Sequence, residues 1–121
     1  MIIASCGSTI KPIDKILRNS EPDKILLFTY VSTKPENLEQ EITKILPNST
    51  VVIERISIPS NPDSDWWYSL HNEIQEIISK HNPDLDADVW VNGGTPWLSH
   101  TLHHVSTLLG LDVSVSTISK I

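Results

Sequence analysis

Apolar segments of two kinds alternate along this chain, and that alternation constrains the fold more than any single motif. Short runs rich in Val, Ile and Leu are separated by stretches whose apolar residues recur every three or four positions. Residues 1–6 form the first run, and residues 9–19 follow with Ile10, Ile13 and Leu17 at helical spacing, ending near Asn19-Ser20-Glu21-Pro22. Lys24–Val31 predicts a second, buried strand. Pro35–Leu46 predicts a helix with Leu38, Ile42 and Ile45 on one face, Pro35 at its first position and Pro47-Asn48 closing it. Thr50–Ile58 is a third strand. A polar loop, Pro59–Ser64, leads into the longest helix, Asp65–His81, whose face carries Trp67, Leu70, Ile74, Ile77 and Ile78. Asn82-Pro83-Asp84 breaks it. A fourth strand at Asp88–Asn92, a last helix at Thr95–Leu109 with Gly110 after it, and a fifth strand at Leu111–Ile118 complete the order βαβαβαβαβ. Strands separated by helices of this length imply an α/β fold: a mainly parallel sheet of five or six strands, helices on both faces and right-handed crossovers.

The 121 residues are expected to form one domain, 1–121, large enough for a real core. No apolar run approaches the ~18–20 residues of a membrane span. The apolar start lacks a basic segment and leads into a helix pattern, so it reads as a strand and not as a signal peptide. Cys6 is the lone cysteine, which excludes an internal disulfide and points to the cytoplasm. With 15 acidic against 9 basic residues the net charge is −6, which argues against duplex nucleic acid as a partner. A small anion held mainly by backbone N–H groups remains compatible with that charge.

In parallel sheets of this kind ligands sit outside the carboxyl ends of the strands, where the strand order reverses. Two loops have the chemistry for that position: Cys6-Gly7-Ser8-Thr9 after the first strand and Asn92-Gly93-Gly94-Thr95 after the fourth. Gly93-Gly94 permits a tight turn and close approach of a ligand to the backbone. Thr95 suits the N-cap and Pro96 the first helical position, so the following helix turns the positive end of its dipole to the same place. Ser8, Thr9, Asn92 and Thr95 would meet a nucleotide phosphate or ribose lying across both loops. Ordinary turns with ordinary caps account for either loop taken alone.

These segments resemble a known family. Ile2-Ile3-Ala4-Ser5-Cys6-Gly7-Ser8, then a helix, then Glu21-Pro22-Asp23-Lys24-Ile25-Leu26-Leu27-Phe28, is similar to the start of CARF domains, the CRISPR-associated Rossmann-like sensors of cyclic oligoadenylate. Val91-Asn92-Gly93-Gly94-Thr95 resembles their second motif, in which Lys usually follows the Thr; here Pro96 and Trp97 follow. The resemblance implies a Rossmann-like domain of type III CRISPR antiviral signalling. It implies a homodimer holding one ring, commonly cyclic tetra-adenylate, on its two-fold axis. Gly7, Ser8 and Thr9 would form one half-site, and Asn92, Gly93, Gly94 and Thr95 the other. Pro96 removes a cation from the phosphate site; Trp97 suits stacking on adenine, or packing into the core or an interface. CARF domains usually switch an attached effector, which the 121 residues leave no room for after the fifth strand. Two alternatives follow: the sensor module of something larger, or a standalone protein that cleaves or sequesters the ring, as ring nucleases do. Such cleavage needs no metal or cofactor: the ribose 2′-OH is held in line with its phosphate, giving 2′,3′-cyclic phosphate ends. Ser8, Thr9 and Asn92 are then the catalytic candidates, and Lys11 is the nearest cation in sequence.

Other patterns carry less. His100, His103 and His104 lie at helical spacing, but three ligands from one helix make a poor tetrahedral site, so no metal is expected. His71 and His81 read as exposed helix residues. Of the adjacent Trp66 and Trp67, one must face the core, leaving the other for a ligand or an interface. The chain lacks the dinucleotide-binding glycine pattern and the P-loop Lys, and neither Ser8 nor Cys6 has a hydrolase motif around it. A generic nucleotide-binding regulatory domain is the remaining alternative.

Overall fold

The computed structural model describes residues 1–32, 34–92 and 96–116. Five strands, β1 (Ile2–Ser5), β2 (Lys24–Tyr30), β3 (Thr50–Ile56), β4 (Asp88–Asn92) and β5 (Asp112–Ser116), pair in parallel in the order β3-β2-β1-β4-β5. The helices are α1 (Asp14–Ser20), α2 (Pro35–Ile45), α3 (Ser64–His81) and α4 (Pro96–Leu108). This is the doubly wound Rossmann-like arrangement that the alternation implies.

Strand periodicity sorts the core into two layers. Ile2, Ala4, Ile25 and Leu27 meet Ile13 and Leu17 on the α1 side and Leu38 and Ile42 from α2. Ile3, Leu26, Phe28 and Val89 meet Leu70, Ile74 and Ile78 of α3 and Leu98, Leu102 and Val105 of α4. The chain winds outward from β1 to β3, crosses back, and winds outward again through β4 to β5. Right-handed crossovers then require the two helix pairs to lie on opposite faces. β5 shows what that arrangement leaves bare: Val113 packs toward α3 and α4, whereas Ser114 is exposed on the side where α1 and α2 do not reach.

Several boundaries differ from the sequence reading. The segment expected as one helix over 9–19 begins as a 3-10 turn (Lys11–Ile13), with Ile13 N–H donating to the Ile10 carbonyl at 2.8 Å, before α1 starts. α3 starts one residue earlier than expected because Asp63, not a loop residue in role, caps it: its Oδ1 accepts from Trp66 N–H at 2.9 Å. β3 stops at Ile56, whose carbonyl takes the Val31 N–H at 3.0 Å, because β2 offers no partner beyond that point. Residues 117 and 118, expected in β5, lie outside the described residues. Gly110 fulfils its expected role: at φ +78° it lets Leu111 N–H reach the Ser106 carbonyl (2.9 Å) and its own N–H reach that of Thr107 (3.1 Å), a Schellman end to α4.

Ser106 itself is fully buried, and among the described residues its hydroxyl has no hydrogen-bond partner. An unsatisfied buried hydroxyl in a helix is a cost without a return. Ser106→Ala is therefore expected to raise stability by about 1 kcal/mol in thermal or urea unfolding.

The amino edge of the sheet holds a small charged cluster. Lys24 Nζ lies 3.3 Å from His81 Nδ1 and donates to the His81 carbonyl at 3.4 Å, while His81 Nε2 is 3.8 Å from Glu54 Oε1. His81 is thus half-buried and partnered, not the exposed helix residue its sequence context implies. Burial, then the Lys24 and Lys80 charges, hold its pKa below the ordinary 6.5, against an upward pull from Glu54. The unfolded chain therefore binds a proton that the folded chain refuses in the interval below pH 6.5. This contribution to stability is present above 6.5 and lost as pH falls through the folded value. Melting temperature measured from neutral to mildly acid pH is expected to fall less steeply in His81→Gln than in the parent.

Candidate functional site

Strand order reverses between β1 and β4, so the loop that leaves β1 and the end of β4 flank the crevice at the carboxyl edge. The loop after β1 is pinned from both sides. Cys6 N–H donates to the Phe28 carbonyl (3.0 Å), extending the ladder with β2, and Thr29 Oγ1 donates to the Gly7 carbonyl (3.2 Å). On the other side Thr9 Oγ1 donates to Glu41 Oε2 of α2 at 3.1 Å, and Ile10 N–H donates to the same oxygen at 3.2 Å. Thr9 Oγ1 also accepts from Lys11 N–H at 3.3 Å. Thr9 is therefore engaged in holding the loop, whereas Ser8 at its tip is exposed. Lys11 is exposed as well.

The second loop begins at Asn92, the last residue of β4, paired with Ser116. Gly93, Gly94 and Thr95 lie outside the described residues, and α4 starts at Pro96 as expected. Ser99 Oγ on α4 is 2.9 Å from Ser5 Oγ at the end of β1, a buried hydrogen bond that holds the start of the helix against the switch point. Tyr30, at the end of β2, adds a contact that sequence reading missed: burial pushes its phenol pKa up, and a hydrogen bond with the Leu98 backbone pulls it partly back. The structure thus brings Gly7, Ser8, Thr9, the end of β4 and the first turn of α4 to one edge.

Cys6 stands at this edge but is no nucleophile. Burial, reinforced by the Glu41 charge, pushes its thiol up to about 12, leaving almost no thiolate at neutral pH.

Along the seam between α3 and α4 runs a chain of rings. Trp97 meets Trp66 and Trp67 edge-on, with centroids 6.1 and 5.3 Å apart. Trp67 also meets His71 (5.0 Å) and His100 (5.8 Å), and His71 meets His104 (5.2 Å). Two expectations need correcting. It is Trp66 that packs against the core, in register with Leu70 and Ile74, while Trp67, placed on the core face by its spacing, turns toward α4. His71 is half-buried in the seam, its Nδ1 2.8 Å from the Trp67 carbonyl, and is not an exposed helix residue. His100 and His104, one turn apart, join the seam; His103 is exposed. Among the described residues no three His, Cys, Asp or Glu side chains are placed to hold a metal ion. Trp97 is 47% exposed, so it belongs to the surface of this seam and not to the core.

Sheet order and two-faced helix packing define a Rossmann-like α/β domain, and its fold is CARF-like. Among solved structures it is similar to Csm6 of Enterococcus italicus bound to cyclic hexa-2′-fluoro-hexa-dAMP, with a TM-score of 0.61 and 19% identity over 98% of this chain. The chain spans only 33% of that protein. It is also similar to two structures of the C-terminal domain of the PF1911 hydrogenase of Pyrococcus furiosus. Their TM-scores are 0.56 and 0.53 and their identities 19% and 14%, covering 96% and 94% of this chain and 90% and 89% of those domains. No protein-family model matches the sequence, and no curated protein matches it. No helix among the described residues is long and apolar enough to cross a membrane.

Proposed function

We propose that this chain binds a cyclic oligoadenylate at the β1–β4 switch point, as a homodimer with the ring on its two-fold axis, in CRISPR antiviral signalling. The observation that carries this reading is the position of the β1 loop, the end of β4 and the first turn of α4 at the strand-order reversal, in a fold shared with a protein solved holding a cyclic oligonucleotide. Each subunit contributes Gly7, Ser8 and Thr9 from one loop, Asn92, Gly93, Gly94 and Thr95 from the other, and Trp97. Ring sizes of even number, cyclic tetra-adenylate first among them, match the symmetry of two identical subunits. Where the family carries Lys, Pro96 leaves the phosphates to backbone N–H groups, so binding is expected to weaken only modestly with salt.

The surface of α4 supports the dimer. The helix contains no charged Asp, Glu, Lys or Arg, and its exposed side carries His100, His103, His104, Thr107 and Leu108, the last 74% exposed. Loss of charge with gain of aromatic and apolar groups is the composition of an interface core. Leu108→Glu is the substitution to read by sedimentation, with and without the ring.

The test is incubation of the protein with cyclic tri-, tetra- and hexa-adenylate in EDTA, followed by calorimetry and by chromatography of the products. One intact ring recovered per two chains supports a sensor or sponge. Linear products with 2′,3′-cyclic phosphate ends add ring-nuclease activity, with Ser8 the first residue to replace. A mononucleotide bound in preference to every ring overturns the proposal in favour of a generic nucleotide-binding domain.

A further inference from the structure

We infer that the first turns of α3 and α4 together form a base subsite, in which an adenine lies against Trp97 and is read by the carboxylate of Asp63. The inference rests on the ring-binding reading for the identity of the base. The pocket itself is observed independently. Asp63, Ser64, Trp66, Trp67, Tyr68 and Trp97 line an open cavity of about 470 Å³, within the size range of small-molecule sites.

Three features select its occupant. The first is shape. The three indoles meet at 57°, 74° and 71°, so none lies flat on another, and Trp97 stays nearly half exposed. Tyr68 is 71% exposed beside them. Flat aromatic surface open to solvent is what a nucleobase stacks on.

The second is charge. Asp63 uses Oδ1 to cap α3, and among the described residues its Oδ2 has no hydrogen bond. A carboxylate repels phosphate and accepts from an amino group. It therefore turns the sugar-phosphate away and takes the exocyclic amine of adenine.

The third is place. α3 and α4 both begin at the carboxyl edge of the sheet, and Trp97 is the second residue of the helix that follows β4 at the switch point. The cavity thus opens at the first turn of α4, on the same edge of the sheet as the β1 loop. Neither Trp66 nor Trp67 is spent on filling the core alone, which accounts for three tryptophans meeting at one solvent-facing corner.

The full chain is titrated with cyclic tetra- and hexa-adenylate, and separately with adenosine and inosine, by calorimetry and indole fluorescence. Asp63→Asn keeps the helix cap, since Asn caps as well as Asp, but replaces the free acceptor with an amide. Indole quenching by the ring, affinity about tenfold weaker in Asp63→Asn and about fivefold to 100-fold weaker in Trp97→Ala is the expected result. Trp97→Phe is expected to restore most of the loss. Adenosine is expected to quench the parent more than inosine, which lacks the amine, and Asp63→Asn to abolish that preference. Ring binding with unchanged affinity in both variants and unquenched indoles overturns the subsite and leaves the ring-binding reading intact. Adenosine quenching with no ring bound supports the subsite and removes the ring. Binding of neither overturns both.

Discussion

Phe28→Ala is expected to lower the melting temperature by about 10–25 °C, from a loss of about 3–5 kcal/mol. Phe28 is fully buried at the centre of β2, on the face covered by α3 and α4, among Ile3, Leu26, Ile56, Leu70 and Val89. Truncation removes its transfer free energy and leaves a cavity that strands on both sides cannot close, because their register fixes the spacing. Typical total stability is only about 5–15 kcal/mol, so the variant sits near the edge of folding at body temperature. The position also bears on the site, since the Phe28 carbonyl takes the Cys6 N–H where the first ligand loop leaves the sheet. Urea unfolding is the check: the midpoint is expected to fall with an unchanged slope. A loss under about 1 kcal/mol would contradict the packing described.

The second large effect is expected at Glu41. Its Oε2 accepts from both Thr9 Oγ1 and Ile10 N–H, so one carboxylate oxygen holds the β1 loop to α2. Hydrogen bonds to charged groups are worth about 1.5–3 kcal/mol, and Glu41→Ala is expected to cost an amount in that range. Glu41→Gln keeps an acceptor without the charge and is expected to fall between. The charge has a separate reporter. Glu41 adds to the elevation of the Cys6 thiol, second to burial, so removing it lowers that pKa while leaving it above the ordinary thiol value. The Cys6 pKa, read from thiolate absorbance in an alkaline titration of the folded protein, is expected to fall equally in the Ala and Gln variants, whereas the stability loss is not equal. Identical titration in all three proteins would show that the charge does not reach the thiol.

The order of elements was legible because each signal is local. An apolar run, a proline at a helix start and a glycine after α4 act within a few residues of themselves, and the end of β4 and the start of α4 at Pro96 fell where the sequence put them. What escaped were contacts made by residues far apart in sequence. Glu41 reads as one more solvated acid on an amphipathic helix, and only the sheet order brings it to Thr9, 32 positions earlier. His81 meets Lys24 across 57 positions for the same reason. The Trp66–Trp67 choice failed for a subtler cause. Neighbouring helix positions differ by about 100°. Both indoles therefore fall near the core stripe, and which one enters is decided by where α4 lies. Asp63 was readable in principle: an Asp before Ser64-Asp65-Trp66 is a common N-cap, and it was hidden by the prolines around it.

The burial of Cys6 has a practical side. Because the chain carries a single cysteine and its thiol is held at about 12, ordinary maleimide or iodoacetamide chemistry at neutral pH finds nothing to modify. A cysteine introduced at an exposed position such as Ser114, on the bare side of β5, would be the sole reactive thiol. A dye or spin label placed there reports on assembly and ligand arrival with the native residue left in place, so the protein comes ready for single-site labelling.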